Sequence, residues 1–167
     1  MPLPLVLDDR GSRDLRASGG GAWRVFTDAV MGGVSVASAE AGAMNGRPAL
    51  CLRGRVSTAN NGGFVQMALD LAGPLPAEAT GFEIDVCGRP LRYGLHLRTV
   101  TMTAPWQAWR AGFDVGAAWQ TLRLPFAGFE PYRLTGRLAP GDVRRIGLLA
   151  IGAEGDAELC LGRLAVY

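Results

Sequence analysis

The clearest pattern in this chain is an alternation of apolar and polar residues at residues 82–87 and again at residues 93–99. A period of two is typical of a β-strand that buries one face. Segments rich in β-branched and aromatic residues predict further strands at residues 23–26, 34–38, 49–56, 64–71, 106–115, 119–124, 145–151 and 157–166. Many short strands without a long helix favour an all-β jelly-roll sandwich of two sheets, built as one domain over residues 1–167.

Glycine and proline mark the connections between these strands. Gly88, Arg89 and Pro90 separate the two alternating segments, and so short a connection predicts an antiparallel hairpin over residues 82–99. Four further segments are expected to lie outside strands: loops at residues 73–81 and 126–140, a helical turn at 142–144, and a glycine hinge at 19–21 that follows an amino-terminal strand.

The hairpin would place the polar residues of both segments on one sheet surface. Continuing the same register into residues 106–115 adds an indole and a further arginine. The expected shared surface contains Glu83, Asp85, His96, Arg98, Trp106 and Arg110. Two interpretations remain open: a solvated, salt-bridged sheet, or a polar ligand groove in which Trp106 stacks on a sugar ring.

Two glycine-rich strings lie between strands. The first, DAVMGGVS, runs from Asp28 to Ser35, and the second, NNGGF, begins at Asn60 and Asn61. Adjacent glycines suit a turn, and the Asp28 carboxylate is placed to accept backbone N–H groups that fix it. In a ligand loop, Asp28 and Ser35 would instead present oxygen atoms, and the two asparagine amides would bind hydroxyl groups. Both interpretations remain open at this point.

These strings resemble the signature of the complex I intermediate-associated protein 30 family. Further similar segments are YGLHLRT at residues 93–99, Trp119-Gln120, Pro125-Phe126, Phe129, Gly136-Arg137, and residues 142–147 and 159–167. The resemblance implies a galactose-binding-like jelly roll. For the eukaryotic members it implies a role as mitochondrial assembly factors for respiratory complex I. The expected partners are therefore respiratory-complex subunits or another protein assembly.

The charge composition narrows the range of functions. All 17 basic residues are arginine, against 15 acidic residues, which gives a net charge of +2. The lack of lysine excludes Schiff-base and phosphate-cradling lysines, and the single histidine, His96, excludes a three-histidine zinc site. The arginines are scattered, which argues against a nucleic-acid partner. No cofactor is expected. The sequence has no metal-ligand cluster at diagnostic spacing, so no metal site is assigned, and calcium held by carboxylates and main-chain carbonyls remains an open alternative.

The cysteines and the amino terminus bear on the cellular location. Cys51, Cys87 and Cys160 are odd in number, form no CxxC pair and lie in apolar segments, so buried free thiols are expected. The first residues have neither the basic segment nor the apolar stretch of a targeting peptide. No apolar stretch reaches the ~20 residues of a membrane span. A cytoplasmic protein without membrane insertion is predicted.

Catalysis finds weak support in the sequence. Glu83 and Asp85 could form the carboxylate pair of a glycoside hydrolase, but neighbouring arginines would keep both ionised, whereas a general acid needs a raised pKa. A Ser35–His96 pair lacks the G-x-S-x-G elbow. The predicted function is a non-catalytic binding or assembly-factor domain. The alternatives are a carbohydrate-binding module and a glycoside hydrolase-like enzyme.

Overall fold

The computed structural model describes residues 2–167, which form two antiparallel β-sheets around a shared core. The strands are β1 (Leu5–Asp8), β2 (Trp23–Thr27), β3 (Val36–Met44), β4 (Arg47–Val56), β5 (Phe64–Asp70), β6 (Gly81–Arg89), β7 (Tyr93–Thr99), β8 (Ala108–Phe113), β9 (Gln120–Pro125), β10 (Glu130–Tyr132), β11 (Val143–Ile151) and β12 (Gly155–Val166). The first sheet has the order β3-β4-β12-β6-β9, with β1 paired to β12. The second sheet has the order β10-β8-β7-β11-β5-β2. This is the all-β jelly-roll sandwich that the sequence predicts.

Each strand-rich segment predicted from the sequence contains a strand. β3 starts two residues later than predicted and continues to Met44. The short strand β10 lies inside the predicted loop at residues 126–140. The helical turn expected at residues 142–144 is a 3-10 turn two residues earlier, at Pro140–Asp142, because β11 already begins at Val143. The glycines at 19–21 are not a free hinge, because the Gly19 N–H donates to the Leu7 carbonyl of β1 at 3.0 Å.

The predicted hairpin over residues 82–99 is wrong. β6 pairs with β12 and β9 in the first sheet, whereas β7 pairs with β11 and β8 in the second. The connection after Arg89 therefore crosses from one sheet to the other. The physical reason is that both strands bury one apolar side, and this alternation is the same whether the strands pair within a sheet or face each other across a core.

The core fills the space between the two sheets. Phe82, Ile84 and Val86 of β6 face Leu95 and Leu97 of β7, and all five side chains are fully buried. Burial of each such side chain stabilises the fold by roughly 1.5–3 kcal/mol. Within residues 2–167, no helix is long and apolar enough to cross a membrane.

The cysteines depart from the expectation of three free thiols. Cys160 on β12 lies directly opposite Cys51 on β4 and also opposite Cys87 on β6. Cys51 and Cys160 form a disulfide bond across a sequence separation of 109 residues. Cys87 is free and buried. The free-thiol prediction is therefore wrong for two of the three, because the pairing depends on strand register, which spacing alone does not reveal.

Candidate functional site

The polar residues of β6 and β7 lie on opposite outer surfaces of the sandwich. The predicted side-chain phase is confirmed, since the apolar partners of both strands point into the core. The predicted shared surface is wrong. Glu83 and Asp85 project from the first sheet, while His96, Arg98 and Arg110 project from the second. Alternation determines which side of a strand faces the core, but it does not determine the sheet.

The outer surface of the first sheet, named here the first face, pairs its charges internally. Glu83 accepts hydrogen bonds from Arg123 at 2.9 Å and Arg163 at 2.8 Å, and Asp85 accepts one from Arg47 at 3.1 Å. The hydrogen bond from Arg123 is the main reason that the pKa of Glu83 is lowered. Glu83 therefore stays ionised and is unsuited to act as the general acid of a glycosidase.

The same pairing extends over the whole first face. In the described chain, each arginine of its strands has a carboxylate between 2.8 and 3.6 Å away: Arg47, Arg53, Arg55, Arg89, Arg123 and Arg163. Such exposed pairs contribute little individually. The consequence for binding is that the charges of this face are already engaged with one another.

The outer surface of the second sheet, the second face, is organised around a row of directly opposed residues that crosses all six strands. The row consists of Arg24, Ala68, Gly147, His96, Arg110 and Glu130. Ala68 and Gly147 have almost no side chain, and Gly94 and Gly112 lie opposite each other beside the row. Gln66 reaches over Gly147, where an added Cβ would collide with its amide. The row therefore has a low centre between polar ends.

His96 lies near the middle of the row. Its imidazole is largely buried, and this burial, followed by the charge of Arg110, lowers the pKa of His96 to about 4. At neutral pH the ring is therefore uncharged and can both donate and accept a hydrogen bond. Within residues 2–167, neither His96 nor Gln66 has a buried polar atom that lacks a partner, and neither makes an internal side-chain hydrogen bond. Their polar atoms therefore keep some solvent exposure and have no hydrogen-bond partner within the described chain.

Arg98 positions the loop that carries Trp106. Its guanidinium donates to the carbonyls of Ala104 at 3.1 Å, Pro105 at 3.1 Å and Gln107 at 2.9 Å. The indole of Trp106 is 65% exposed at the end of this loop. Burial lowers the pKa of Arg98, with a smaller contribution from Arg145. Arg98 thus organises the rim of the second face.

An arginine–tyrosine stack lies beside this loop, because Tyr132 pairs with Ala108 and the Gln107 amide donates to the Arg133 carbonyl at 3.1 Å. The Arg110 guanidinium lies over the Tyr132 ring at 4.0 Å, and Arg133 lies 5.3 Å from the same ring. The hydrogen bond from Arg133 is the first of the causes that lower the pKa of Tyr132. The rim is therefore positively charged.

Asp28 joins the two glycine-rich strings from the interior. Its carboxylate accepts hydrogen bonds from the Ser35 N–H at 2.9 Å, the Ser35 hydroxyl at 2.5 Å, the Gly63 N–H at 2.6 Å and the Phe64 N–H at 3.2 Å. Burial raises the pKa of Asp28, but these hydrogen bonds together outweigh it and leave the pKa lowered. Asp28 is fully buried. This geometry supports the structural interpretation of DAVMGGVS.

One glycine of each string is required by this carboxylate. A Cβ at Gly33 would collide with the Asp28 carboxylate, and one at Gly62 would lie 2.6 Å from its Oδ2. The Ser35 hydroxyl also accepts the Ser57 N–H at 2.9 Å, so Ser35 too is used internally. We call this arrangement the Asp28 junction.

Asn60 and Asn61 of the second string differ in their contacts. Asn60 is exposed, and its amide donates to the Gly32 carbonyl at 3.2 Å, which ties the second string to the first. Asn61 is exposed and has a φ of 60°, a left-handed conformation that asparagine tolerates. Asn60 supports the connection between the strings, and Asn61 is accessible at its surface.

Sequence reasoning missed an aliphatic surface above the Asp28 junction. Four aliphatic side chains of the loop and of the start of β3 point outward and are 54–76% exposed: Val30, Met31, Val34 and Val36. The signal was present in the string itself, because apolar residues in a short glycine turn cannot all be buried. We call these residues the aliphatic loop.

The described residues contain no cluster of three or more histidine, cysteine, aspartate or glutamate residues that could hold a metal ion. The second face can bind a ligand through hydrogen bonds, positive charge and an exposed indole. The aliphatic loop can bind one through apolar contact. Both surfaces are suited to binding another molecule.

Residues 14–161 match the family described as Complex I intermediate-associated protein 30 (CIA30). No curated protein sequence matches the chain.

Several solved structures share the fold. The family 11 carbohydrate-binding module of the cellulosomal cellulase Lic26A-Cel5E of Clostridium thermocellum is similar with a TM-score of 0.74 at 12% identity, over 98% of this chain and 93% of that one. A Clostridium thermocellum family 11 module in complex with a β-1,3-1,4-mixed-linked tetrasaccharide gives a TM-score of 0.75 at 11% identity, over 97% and 94%. The family 30 module of Cel9D-Cel44B from Clostridium thermocellum gives 0.68 at 12% identity, over 99% and 98%. At these identities the likeness establishes the jelly-roll fold.

Proposed function

Because the chain belongs to the complex I intermediate-associated protein 30 family, we propose that it is a non-catalytic binding domain that acts in protein assembly. Its expected partners are respiratory-complex subunits. The observation that carries the proposal is the aliphatic loop, in which Val30 is 76% and Met31 is 65% exposed. Exposed apolar side chains that lie together, unlike ones scattered singly, favour a surface that another molecule contacts.

The Asp28 junction makes this loop a suitable docking element. Four hydrogen bonds to one buried carboxylate hold the backbone beneath the aliphatic side chains. A partner therefore binds a surface that is already ordered, which lowers the entropic cost of association. The loop leads directly into β3, the edge strand of the first sheet, whose backbone can add a strand from a protein partner.

The contacts of the candidate acids support the non-catalytic part of this proposal. Both Glu83 and Asp85 form ion pairs with arginines of the first face, and the lowered pKa of Glu83 makes it unsuited to donate a proton. The Ser35 hydroxyl donates a hydrogen bond to the Asp28 carboxylate. The candidate nucleophile and the candidate acids are therefore engaged in structural contacts.

The experiment is affinity purification of the tagged full chain from its native host. The test variant combines Val30→Asp with Met31→Asp, and the matched control is Val100→Asp, at an aliphatic residue that is 54% exposed outside the loop. Wild type and control are expected to recover the same respiratory-complex subunits, and the test variant is expected to lose them while keeping the wild-type melting temperature. Equal recovery by the test variant would contradict the proposal.

A second candidate function is carbohydrate binding, which the exposed indole of Trp106 favours. Aromatic side chains with one open face are suited to flat apolar surfaces such as that of a sugar ring. A glycan array with wild type and Trp106→Ala tests it. Binding of a neutral oligosaccharide that disappears with the indole, together with no protein recovered from the host, would favour this candidate over assembly.

A further inference from the structure

The second face has arginines that the chain itself does not neutralise. Arg24 and Arg145 share one carboxylate, Asp70, at 2.5 and 2.6 Å. Among the described residues, Arg98 and Arg110 form no ion pair with any carboxylate. The first face differs, because all of its arginines are paired. A surface with unpaired guanidinium groups is suited to an anionic ligand.

Arg110 is the best placed of these groups to hold a carboxylate. Its guanidinium is oriented by the Tyr132 ring 4.0 Å below it, and that contact leaves the N–H donors at its edge unused. Glu130 lies directly opposite Arg110 in the strand register, yet the two form no ion pair within residues 2–167. A planar guanidinium with a free edge binds a carboxylate through two parallel hydrogen bonds.

Neutral hydrogen-bonding groups continue from Arg110 across the face. His96 lies opposite Arg110 on the neighbouring strand, and Gln66 covers Gly147 on the strand beyond. Both are partly exposed, have no side-chain hydrogen-bond partner among the described residues and can either donate or accept. Five strand spacings separate β2 from β10, so the face is about 24 Å wide, which an extended peptide of about seven residues would cross.

The position of the aliphatic loop favours a peptide as the occupant. β2, which contributes Arg24 to one end of the row, leads directly into the Asp28 junction and the aliphatic loop. A protein bound to that loop is therefore close to the second face. An acidic segment of the same protein would complement the unpaired arginines, as arginine clusters do in other acidic-motif binding domains.

We propose, on the premise of the protein partner above, that the second face binds an acidic peptide segment of that partner, with Arg110 holding a carboxylate and with His96 and Gln66 hydrogen bonding beside it. The aliphatic loop then supplies apolar contact area, and the second face supplies charge selectivity. Since attraction between exposed charges is screened, binding of the acidic segment weakens as salt is added.

The only histidine of the chain is a built-in probe of this site. The imidazole resonances of His96 are followed by proton NMR while hexaglutamate is added to the full chain at low salt. Hexaglutamate is expected to shift these resonances and to raise the pKa of His96 above its value of about 4, since a nearby anion favours the protonated ring. Added salt should reverse both effects. No shift with hexaglutamate at millimolar concentration would overturn the proposal.

Matched variants and ligands make the test specific. Arg110→Gln is expected to weaken hexaglutamate binding about tenfold, while Arg55→Gln on the first face should bind as wild type does.

Oligogalacturonate and a neutral β-glucan oligomer are the competing ligands. Tighter binding of oligogalacturonate than of hexaglutamate would replace the peptide by a sugar acid, and a response to the neutral oligomer alone would support carbohydrate binding. Either result overturns the proposal.

The outcome is separable from the test of the assembly function. The Val30→Asp, Met31→Asp variant should keep the hexaglutamate response, since its substitutions lie outside the row on the second face. A retained response with no respiratory-complex subunits recovered by wild type contradicts the assembly function alone. Subunits recovered through the aliphatic loop with no hexaglutamate response contradict the acidic-peptide proposal alone.

Discussion

Asp28 and His96 are both polar side chains held close to the core, and they differ in where their hydrogen-bond partners are. The Asp28 carboxylate receives four hydrogen bonds from its own chain. The His96 ring lies in a row of small side chains, is partly exposed and has no hydrogen-bond partner in the part of the chain that the structure describes. The difference distinguishes a polar residue that stabilises the fold from one that is available to bind a ligand. Substitution at the Asp28 junction should cost stability, whereas substitution on the second face should cost binding.

The largest expected effect is that of Asp28→Ala. It removes the acceptor of four donors, and leaving buried donors unpaired costs about 1–3 kcal/mol each, so a loss of roughly 3 kcal/mol or more is expected. Urea unfolding of wild type and variant measures it. Asp28→Asn is the matched control, because it keeps the shape and one acceptor and should lose less. A loss below about 1 kcal/mol for the alanine variant would mean that the strings hold together without the carboxylate.

The next effect is the acid sensitivity that His96 confers. The pKa of its imidazole is about 4 in the folded protein, against about 6.5 in an unfolded chain. As pH falls through this window the unfolded state takes up a proton that the folded state does not, so stability decreases, by roughly 2–3 kcal/mol in total. Thermal unfolding between pH 7 and pH 4 should show this decline in wild type.

His96→Gln serves as the control for this window, because it removes the only imidazole of the chain. Its stability should change much less between pH 6.5 and pH 4, the window that the two pKa values define. At lower pH both proteins should lose stability together, since the lowered pKa of Asp28 means that its carboxylate is protonated only there. An equally steep decline in the variant would show that His96 is not the group that titrates.

A smaller effect is expected from Glu83→Gln on the first face. The change removes ion pairs to Arg123 and Arg163, whose side chains are 64% and 26% exposed. Exposed pairs contribute about 1 kcal/mol or less, so the melting temperature should fall only slightly. Binding to hexaglutamate should be the same as in wild type. A large loss of binding would show that the two faces are not independent.

The smallest expected change in stability is that of Gln66→Ala. The side chain lies over Gly147 without an internal hydrogen bond, so the free energy of unfolding should change by no more than about 0.5 kcal/mol. Hexaglutamate binding, followed through the His96 resonances, should nevertheless weaken. Unchanged binding would confine the recognition site to the side of the face nearer Arg110.

The sequence predicts the strands and their inward sides because alternation reports burial directly. It does not predict which sheet a strand joins, and for that reason Glu83 and His96 are separated by the whole core. The sequence predicts one part of the Asp28 junction, because DAVMGGVS suggests a turn fixed by its aspartate. That the same carboxylate also holds Gly63 depends on a contact across 35 residues.

A buried ion pair is hidden from the sequence in the same way. Arg10 is buried with its guanidinium 2.7 Å from Asp8, and the Trp23 indole donates to the same carboxylate at 2.8 Å. Nothing in the local sequence distinguishes Arg10 from the exposed arginines around it. Such contacts exist only once the chain has folded, so composition and periodicity carry no trace of them.

The free thiol of Cys87 reports on motions at the outer surface of the first sheet. Its side chain is 1% exposed and lies in a small cluster with Met44 and Trp119, so a thiol-modifying reagent reaches it only when this cover opens. The rate at which native protein is alkylated therefore reports how often the cover opens. A partner that binds over these residues would slow the reaction without touching the sulfur, and a time course of mass spectra would detect its binding.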